Sequence, residues 1–244
     1  MKNENSNKPA APEMILFDSG GTLCYDADMD QLRAVEAIMP YITKNSRGIG
    51  AEELNEALRA VRAEIRPARK AGFEVGMWTM MRIACGRCGV ELDLDEQTFE
   101  HIFRLALTTA EPVPHVDELL DCLNASGMRT GVISNSRFSA VSLKERLDRL
   151  FPRNRFEFIL SSCDYILCKP NSALFEIALA KAGLNAEKVW YCGDSPEADV
   201  AGARGAGLFP VLYDPDGMNT DEVDHDFLSI SDWRELIGIL QKRR

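Results

Sequence analysis

The chain has 244 residues, of which 45% are hydrophobic and 27% charged, and its formal net charge at pH 7 is −10. This composition supports a buried core and excludes a chain that is disordered throughout. The excess of acidic residues argues against a nucleic-acid partner, because counterion release requires a basic face. No apolar run in the sequence reaches the length needed to span a bilayer, so we expect no membrane partner either.

Residues 1–12 contain no apolar segment of the kind found in a signal peptide, and we predict that they form a disordered tail. The seven cysteines are an odd number and lie mostly in apolar segments, which is typical of reduced intracellular thiols. We therefore expect a cytoplasmic protein. The sequence sets no oligomeric state.

Short apolar runs alternate with helical segments from about residue 112 onward, and one more run lies near the amino terminus. The alternation predicts right-handed β-α-β crossovers and an α/β fold whose parallel sheet is covered by helices on both faces. The predicted strands are residues 14–18, 130–134, 156–161, 188–192 and 208–213. Pro170-Asn171 marks the start of a helix over residues 172–182 that Gly183 ends, and Asp232 caps a final amphipathic helix.

Between about residues 29 and 110, helical spacing dominates and strand signals are absent. One apolar set recurs with a period near 3.6, at Leu54, Leu58, Val61 and Ile65. The stretch therefore predicts a bundle of about four helices inserted after the first strand. The predicted division is an α/β core over residues 13–28 and 111–244 and a helical domain over residues 29–110.

Polar side chains follow the predicted strands at the points where the strands end. Asp18 and Ser134 close two of the strands. Lys169 follows a third, and the acidic pair Asp194 and Asp199 follows a fourth. Because the carboxyl ends of parallel strands meet at one edge of a sheet, we expect these side chains to converge. They are the groups that phosphoryl transfer needs as nucleophile, oxygen donors, fixed cation and ligands of Mg²⁺.

Four motifs at these strand ends, taken together and in this order, resemble those of the haloacid dehalogenase superfamily. The motifs are Asp18-Ser19-Gly20-Gly21-Thr22, Ile133-Ser134-Asn135, Lys169-Pro170, and Gly193-Asp194-Ser195 with Asp199. The resemblance implies a Rossmann-like, three-layer parallel core under a mobile helical lid. The insertion over residues 29–110 resembles the C1 cap of subfamily I, and the implied activity is that of a Mg²⁺-dependent phosphatase acting on a small phosphorylated metabolite.

The resemblance also implies a role for each matching residue. Asp18 would attack phosphorus and form an aspartyl-phosphate, which divides one difficult displacement into two easier ones. Ser134 and Lys169 would bind the non-bridging oxygens of the phosphate. Asp18, Asp194 and the backbone carbonyl of Gly20 would hold Mg²⁺.

Gly20 has a second implied role, and four further positions complete the site. Gly20 and Gly21 would lie against the substrate, and Asn135 would add an amide donor for a phosphate oxygen. Asp199 and Ser195 would stand behind these groups, where Asp199 orients Lys169 or a metal-bound water.

Gly20 departs from the pattern of most phosphatases of this superfamily, which carry a second aspartate two residues after the nucleophile. That aspartate protonates the leaving oxygen, a contribution of about 10²–10⁴-fold, or roughly 3–5 kcal/mol of barrier. Asp26 and Asp28 are candidate replacements, with ordinary solvated loop carboxylates as the alternative. A good leaving group would make the acid unnecessary.

Two other activities compete with a phosphatase. Without its usual acid, the chain could bind a phosphorylated ligand or a protein partner and no longer catalyse. Dehalogenation is the second, but the metal-free dehalogenases of the superfamily replace the acidic pair that Asp194 and Asp199 supply here.

Overall fold

The computed structural model describes residues 10–217 and 227–243. Residues 1–9, which make up most of the predicted tail, lie outside the described residues. The carbonyl of Ala10 accepts a hydrogen bond of 3.2 Å from the indole Nε1 of Trp190, so the last part of that tail packs on the core. Within the described ranges, no helix combines the length and the hydropathy needed to cross a membrane.

The described part of the chain contains one parallel sheet, which builds the core, and two small antiparallel ladders. Numbered along the chain, the strands are β1 (Met14–Phe17), β2 (Cys24–Asp26), β3 (Ile42–Asn45), β4 (Val90–Leu92), β5 (Ala110–Pro112), β6 (Arg129–Ser134), β7 (Phe156–Ser161), β8 (Val189–Gly193), β9 (Phe209–Tyr213) and β10 (Leu228–Ile230). Among the described residues the sheet has six strands in the order β10-β9-β8-β1-β6-β7. The five strands predicted from the sequence are confirmed, and each bound lies within one residue of the prediction.

Helices cover the sheet and form a second group beside it. They are α1 (Gln31–Ile38), α2 (Ala51–Lys70), α3 (Met77–Cys88), α4 (Glu96–Leu107), α5 (Val116–Ala125), α6 (Ala140–Leu150), α7 (Ser162–Tyr165), α8 (Ser172–Ala182), α9 (Gly202–Gly205) and α10 (Trp233–Gln241). The predicted start and end of α8 are confirmed, because the Asn171 side chain accepts from the backbone of Ala173 and Gly183 adopts a φ of 65°. Asp232 caps α10, as predicted, by accepting from the backbone N–H of Arg234.

β1 shows why the core has three layers. Its side chains are all fully buried and point alternately to the two faces of the sheet. Ile15 and Phe17 belong to the apolar cluster that includes α5 and α10, whereas Met14 and Leu16 belong to the cluster that includes α8. A strand with helices on both sides carries a continuous apolar run, and this run was the signal that predicted β1.

Four α-helices, α1–α4, occur between residues 29 and 110, all of which are described. They share an apolar core of their own. On α2, the predicted positions Leu54, Leu58 and Val61 are buried. On α4, Phe99 and Phe103 are fully buried, and their ring centroids lie 5.1 Å apart.

The prediction that residues 29–110 contain no strand is wrong. β3 pairs with β4 in an antiparallel ladder, and β5, which begins at Ala110, pairs with β2 where the chain leaves and re-enters the core. Most residues of β3, β4 and β5 are partly or fully exposed. They therefore carry no apolar alternation from which a strand could be predicted.

Leu58→Ala tests how much the apolar core of α1–α4 contributes to stability. Because Leu58 is fully buried, we expect the free energy of unfolding to fall by about 2–5 kcal/mol, as removed apolar contacts and a residual cavity both cost stability. Glu56→Ala, at an exposed position of the same helix, is the control and should change it by less than about 0.5 kcal/mol. Urea denaturation of both variants measures the difference, and equal values for the two would contradict the packing described.

Candidate active site

The predicted site residues lie at the edge of the sheet where the strands have their carboxyl ends. Asp18 follows β1 directly, and its backbone N–H donates a 2.8 Å hydrogen bond to the carbonyl of Cys192. β1 lies between β6 and β8, with Phe17 in register with Val132 and Cys192. The next residue along each strand therefore emerges at the same edge, which places the ends of these three strands side by side.

Lys169 occupies the centre of this edge, and its ammonium is almost completely buried. Its Nζ donates to Oδ1 of Asp18 at 2.8 Å, to Oδ1 of Asp199 at 2.6 Å and to the hydroxyl of Tyr191 at 2.6 Å. An ammonium has three N–H donors, and here each of them has a partner. The position of the charge is therefore fixed by three directed contacts.

Asn135 holds the backbone of Lys169 in place. Its Oδ1 accepts from the Lys169 N–H at 2.8 Å, and its Nδ2 donates to the Lys169 carbonyl at 2.9 Å. The predicted role of Asn135 was an amide donor to phosphate. The structure instead directs its side-chain amide to a neighbouring peptide, where it ties the end of β6 to the lysine.

The carboxylate of Asp199 is held in place by a hydrogen bond on the side away from Lys169. Its Oδ2 accepts from the backbone N–H of Ser195 at 3.0 Å, while Oδ1 faces Lys169. The hydroxyl of Ser195 accepts from the N–H of Ala198 and so caps the π-helical turn Pro196–Ala201 that carries Asp199. Ser195 therefore supports the position of Asp199.

Three carboxylates at this edge form a group with the spacing of a metal site. Oxygens of Asp18, Asp194 and Asp199 all lie within 4.8 Å of one another. Thr22 donates to Oδ1 of Asp194 at 3.1 Å. Three acidic groups around one ammonium leave an excess of negative charge, and carboxylate oxygens are the ligands that Mg²⁺ prefers, so the residues fit a hard divalent cation.

Burial and mutual repulsion change the proton affinities of these groups. Burial raises the pKa of Asp18 to about 6, against the attraction of Lys169 and with the help of the Asp199 charge. Burial and the charge of Asp199 also raise the pKa of Asp194. Burial by itself lowers the pKa of Lys169, but the carboxylates of Asp18 and Asp199 outweigh it, so the pKa lies above the ordinary value and the lysine stays charged.

Gly20 and Gly21 are neighbours with opposite steric surroundings. Gly21 has a φ of 75°, and a Cβ on it would lie 2.3 Å from Oδ2 of Asp194, so a side chain there would displace that carboxylate. A Cβ on Gly20 would meet no atom within 4 Å. The aspartate that is missing at Gly20 is therefore not excluded by space.

A cavity of about 300 Å³ opens above this edge. From the sheet side its lining includes Gly20, Gly21, Ser134 and Asn135, and helices α2 and α4 contribute the opposite side. Ser134 itself is buried at the end of β6. Four of the predicted substrate-binding positions thus border one cavity, and Asp18 and Lys169 are buried at the same sheet edge.

The two loop carboxylates considered as replacement acids both have partners. Asp28 accepts from the N–H of Thr109 and pairs with Arg33, and the Thr109 hydrogen bond lowers its pKa, so this group stays ionised. Asp26 borders the cavity and forms a 2.6 Å ion pair with Arg146. Both carboxylates are exposed, as the solvated-loop alternative expects, and both are ion-paired; of the two, Asp26 lines the cavity.

Tyr191 is a site residue that the motifs did not single out. Its hydroxyl accepts from Lys169 and lies 3.0 Å from the carbonyl of Ile133 and 3.2 Å from Oδ1 of Asp199. A tyrosine within a fully buried strand needs a hydrogen-bond partner for its hydroxyl, and this requirement is the signal that could have pointed to it.

Comparison with known proteins places the chain in a family. A family model described as haloacid dehalogenase-like hydrolase matches residues 12–207, which is most of the chain. The chain belongs to this family. The resemblance stated from the four motifs is thereby confirmed at the level of the superfamily, and the chain is a hydrolase of the haloacid dehalogenase-like type.

A curated relative and several solved structures are similar to this chain over nearly its whole length. Glyceraldehyde 3-phosphate phosphatase of Methanocaldococcus jannaschii is 24% identical over 229 residues, which is 93% of this chain and 96% of that protein. The structure of a HAD phosphatase from Thermococcus onnurineus has a TM-score of 0.61 at 22% identity, covering 93% of this chain and 97% of that one. A 2-haloacid dehalogenase from Pseudomonas syringae has a TM-score of 0.58 at 22% identity, covering 96% and 100%. At such identities these two structures show the fold shared by haloacid dehalogenase-like hydrolases.

Asp18→Asn tests the crowding of charge at the site through stability. Since the folded-state pKa of Asp18 is raised to about 6, ionising it costs folding free energy that is absent below about pH 4 and fully present above pH 6. Asparagine carries no charge, so we expect the metal-free variant to be more stable than the wild type at pH 7.5, by up to about 3 kcal/mol. Thermal unfolding at pH 7.5 and pH 4.5 in the presence of a chelator measures this, and the difference should shrink at the lower pH. A variant less stable than the wild type at pH 7.5 would contradict the expectation.

Proposed function

We propose that the chain is a Mg²⁺-dependent phosphatase that acts on a small phosphorylated metabolite through an aspartyl-phosphate at Asp18. One observation carries the proposal: the Asp18 carboxylate is paired with the buried Lys169 and grouped with Asp194 and Asp199 at the carboxyl edge of the sheet. The similarity to glyceraldehyde 3-phosphate phosphatase of Methanocaldococcus jannaschii supports phosphate esters as the substrate class.

The residues at this edge suit a two-step displacement. An oxygen of Asp18 attacks phosphorus, the bond from phosphorus to the ester oxygen breaks, and the leaving oxygen takes up a proton. Water then attacks the phosphorylated Asp18, which releases phosphate and restores the carboxylate. The hydroxyl of Ser134 would donate to a phosphate oxygen through both steps, and the N–H that Lys169 now directs to Asp18 would turn to a phosphate oxygen as Asp18 attacks.

Asp18, Asp194 and the carbonyl of Gly20 would hold the metal in this proposal. When bound, Mg²⁺ supplies positive charge that offsets the carboxylates and the phosphate oxygens. Thr22 orients Asp194 through its hydrogen bond, and Asp199 keeps Lys169 directed toward Asp18. The helical segment over residues 29–110 would act as the lid that keeps bulk water from the cavity.

Turnover of model substrates tests the proposal. We expect the wild-type protein to hydrolyse p-nitrophenyl phosphate with Mg²⁺ and to lose the activity when the metal is chelated. Asp18→Asn should abolish turnover, because the amide cannot form the phosphorylated intermediate. Activity that survives in Asp18→Asn would overturn the assignment of the nucleophile. Trapping with beryllium fluoride, followed by location of the adduct, is the independent check.

Gly20→Asp tests the missing acid. Because a Cβ at Gly20 would meet no atom within 4 Å, we expect the variant to fold and to gain about 10²–10⁴-fold in kcat toward alkyl phosphates, whose leaving oxygen needs a proton. Toward p-nitrophenyl phosphate, whose leaving group needs little protonation, the gain should be small. Gly20→Ala is the matched control and should show no gain. An unchanged alkyl rate in a folded, metal-binding Gly20→Asp protein would contradict the account.

Gly20 also favours a second candidate function, a phosphate-binding protein without turnover. The usual acid is absent, and the nearby carboxylates Asp26 and Asp28 are engaged with other groups. A protein that binds phosphate ligands with Mg²⁺ and hydrolyses neither aryl nor alkyl phosphates would support this function over the first.

A further inference from the structure

The cavity above the sheet edge is lined by an unusual number of arginines. We call these residues the arginine wall: Arg62, Arg69, Arg104, Arg137 and Arg146. Among the described lining residues, Asp26 is the one carboxylate. In a chain with a formal net charge of −10, this concentration of positive charge at one small space is a local feature that the overall composition does not explain.

Two members of the wall share a single carboxylate, and a third has only a neutral partner. Arg69 donates to Oε1 of Glu74 at 2.9 Å, and Nε of Arg137 lies 3.9 Å from the same oxygen. Arg62 donates to the neutral side-chain oxygen of Gln31. The carboxylate of Glu74 is buried, so it offsets one positive charge of three.

The other two members are more deeply buried. Arg104 and Arg146 are 8% and 7% exposed, and in the described part of the chain the Nε of each has no hydrogen-bond partner. Arg146 pairs with Asp26 at 2.6 Å, while the guanidinium of Arg104 lies 4.6 Å from the ring centre of Phe138. Arg146 thus has one carboxylate partner, whereas Arg104 donates to the hydroxyl of Ser142 at 3.4 Å and is in contact with no carboxylate among the described residues.

The positive charges of the wall lie close together, and the carboxylates of Asp26, Glu74 and Glu100 offset them only in part. Burial lowers the pKa of Arg104 to about 10, and the charge of Arg146 adds to the effect. Burial also lowers the pKa of Arg137, with Arg69 and Arg62 contributing. Like charges held together in a partly desolvated space repel one another, and an anion in the cavity would relieve this repulsion.

We propose that the arginine wall binds a second anionic group of the substrate, a carboxylate or a phosphate, at the end opposite the phosphate that is hydrolysed. The inference rests on the proposed function and narrows its substrate class to compact metabolites with two anionic ends. A guanidinium binds carboxylate and phosphate through two parallel N–H donors, which makes arginine the suitable residue for either group.

The dimensions of the site limit the length of such a substrate. Arg137 lies three residues beyond Ser134, so their Cα atoms are at most about 11 Å apart. The cavity volume of about 300 Å³ is at the small end of ligand pockets. A short carbon chain therefore fits between the two anions.

Matched pairs of phosphate esters test the inference. 3-Phosphoglycerate and glycerol 3-phosphate share a carbon skeleton but differ in one carboxylate, and 1,3-propanediol bisphosphate and 3-hydroxypropyl phosphate differ in one phosphate. We expect kcat/KM of the wild type to be at least about ten-fold higher for a member with two anionic ends. The pair that shows the preference identifies whether the second group is a carboxylate or a phosphate. Equal values within both pairs would overturn the inference.

Two variants connect the preference to the wall. Arg137→Gln and Arg62→Gln change half-buried residues, and we expect each to reduce the preference by about 10-fold or more, chiefly through KM. Arg153→Gln, at a residue that is 77% exposed and paired with Asp121 outside the cavity lining, is the control and should leave the preference unchanged. A preference that survives in both wall variants, or an equal loss in the control, would contradict the assignment.

A binding measurement separates this inference from the proposed function. 3-Phosphonopropionate and propylphosphonate are not hydrolysed and differ in one carboxylate, and bisphosphonate analogues provide the same comparison for phosphate. With Mg²⁺ present, calorimetry should show at least about ten-fold tighter binding of one doubly anionic ligand to the wild type, and a smaller ratio for Arg137→Gln. If no ester is hydrolysed but this ratio is found, the proposed turnover fails and the second-anion site stands. Equal affinities within both pairs would reject the site even in an active enzyme.

Discussion

The contact on which the rest of the site depends is the buried ammonium of Lys169 between the carboxylates of Asp18 and Asp199. Without that charge, three carboxylates within 4.8 Å of one another would repel strongly in a space that water hardly reaches. Each neighbouring element contributes to the position of the ammonium. β1 supplies Asp18, β8 supplies Tyr191, the π-helical turn supplies Asp199, and Asn135 at the end of β6 fixes the lysine backbone.

The site divides charge between its two sides. The sheet edge carries more negative than positive charge, which suits a divalent cation, and the facing wall carries more positive than negative charge, which suits an anion. A phosphate ester placed between them would meet cations on both sides. The two sides are attached to different elements: the carboxylates lie at the sheet edge, and four of the five arginines lie on the helices α2, α4 and α6.

The loop after β1 shows how one short segment serves two requirements. Position 21 requires glycine, because its φ is positive and because a Cβ there would collide with the carboxylate of Asp194. Gly20 faces open space and is under no such constraint. Packing therefore does not require glycine at position 20, and the departure of this chain from the usual phosphatase pattern there bears on the chemistry of the site.

The sequence by itself determined the α/β core, its predicted strands and the convergence of Asp18, Lys169, Asp194 and Asp199, because apolar periodicity is local and parallel strands end at a common edge. It also predicted the family from the motifs that carry these residues. The tertiary structure alone decided the exposed ladder of β3 and β4, the clamp of Asn135 on Lys169 and the contacts of Tyr191. It also brought together the arginine wall, whose members come from separate parts of the chain. These features depend on distances between groups far apart in sequence, and no local pattern of residues records such distances.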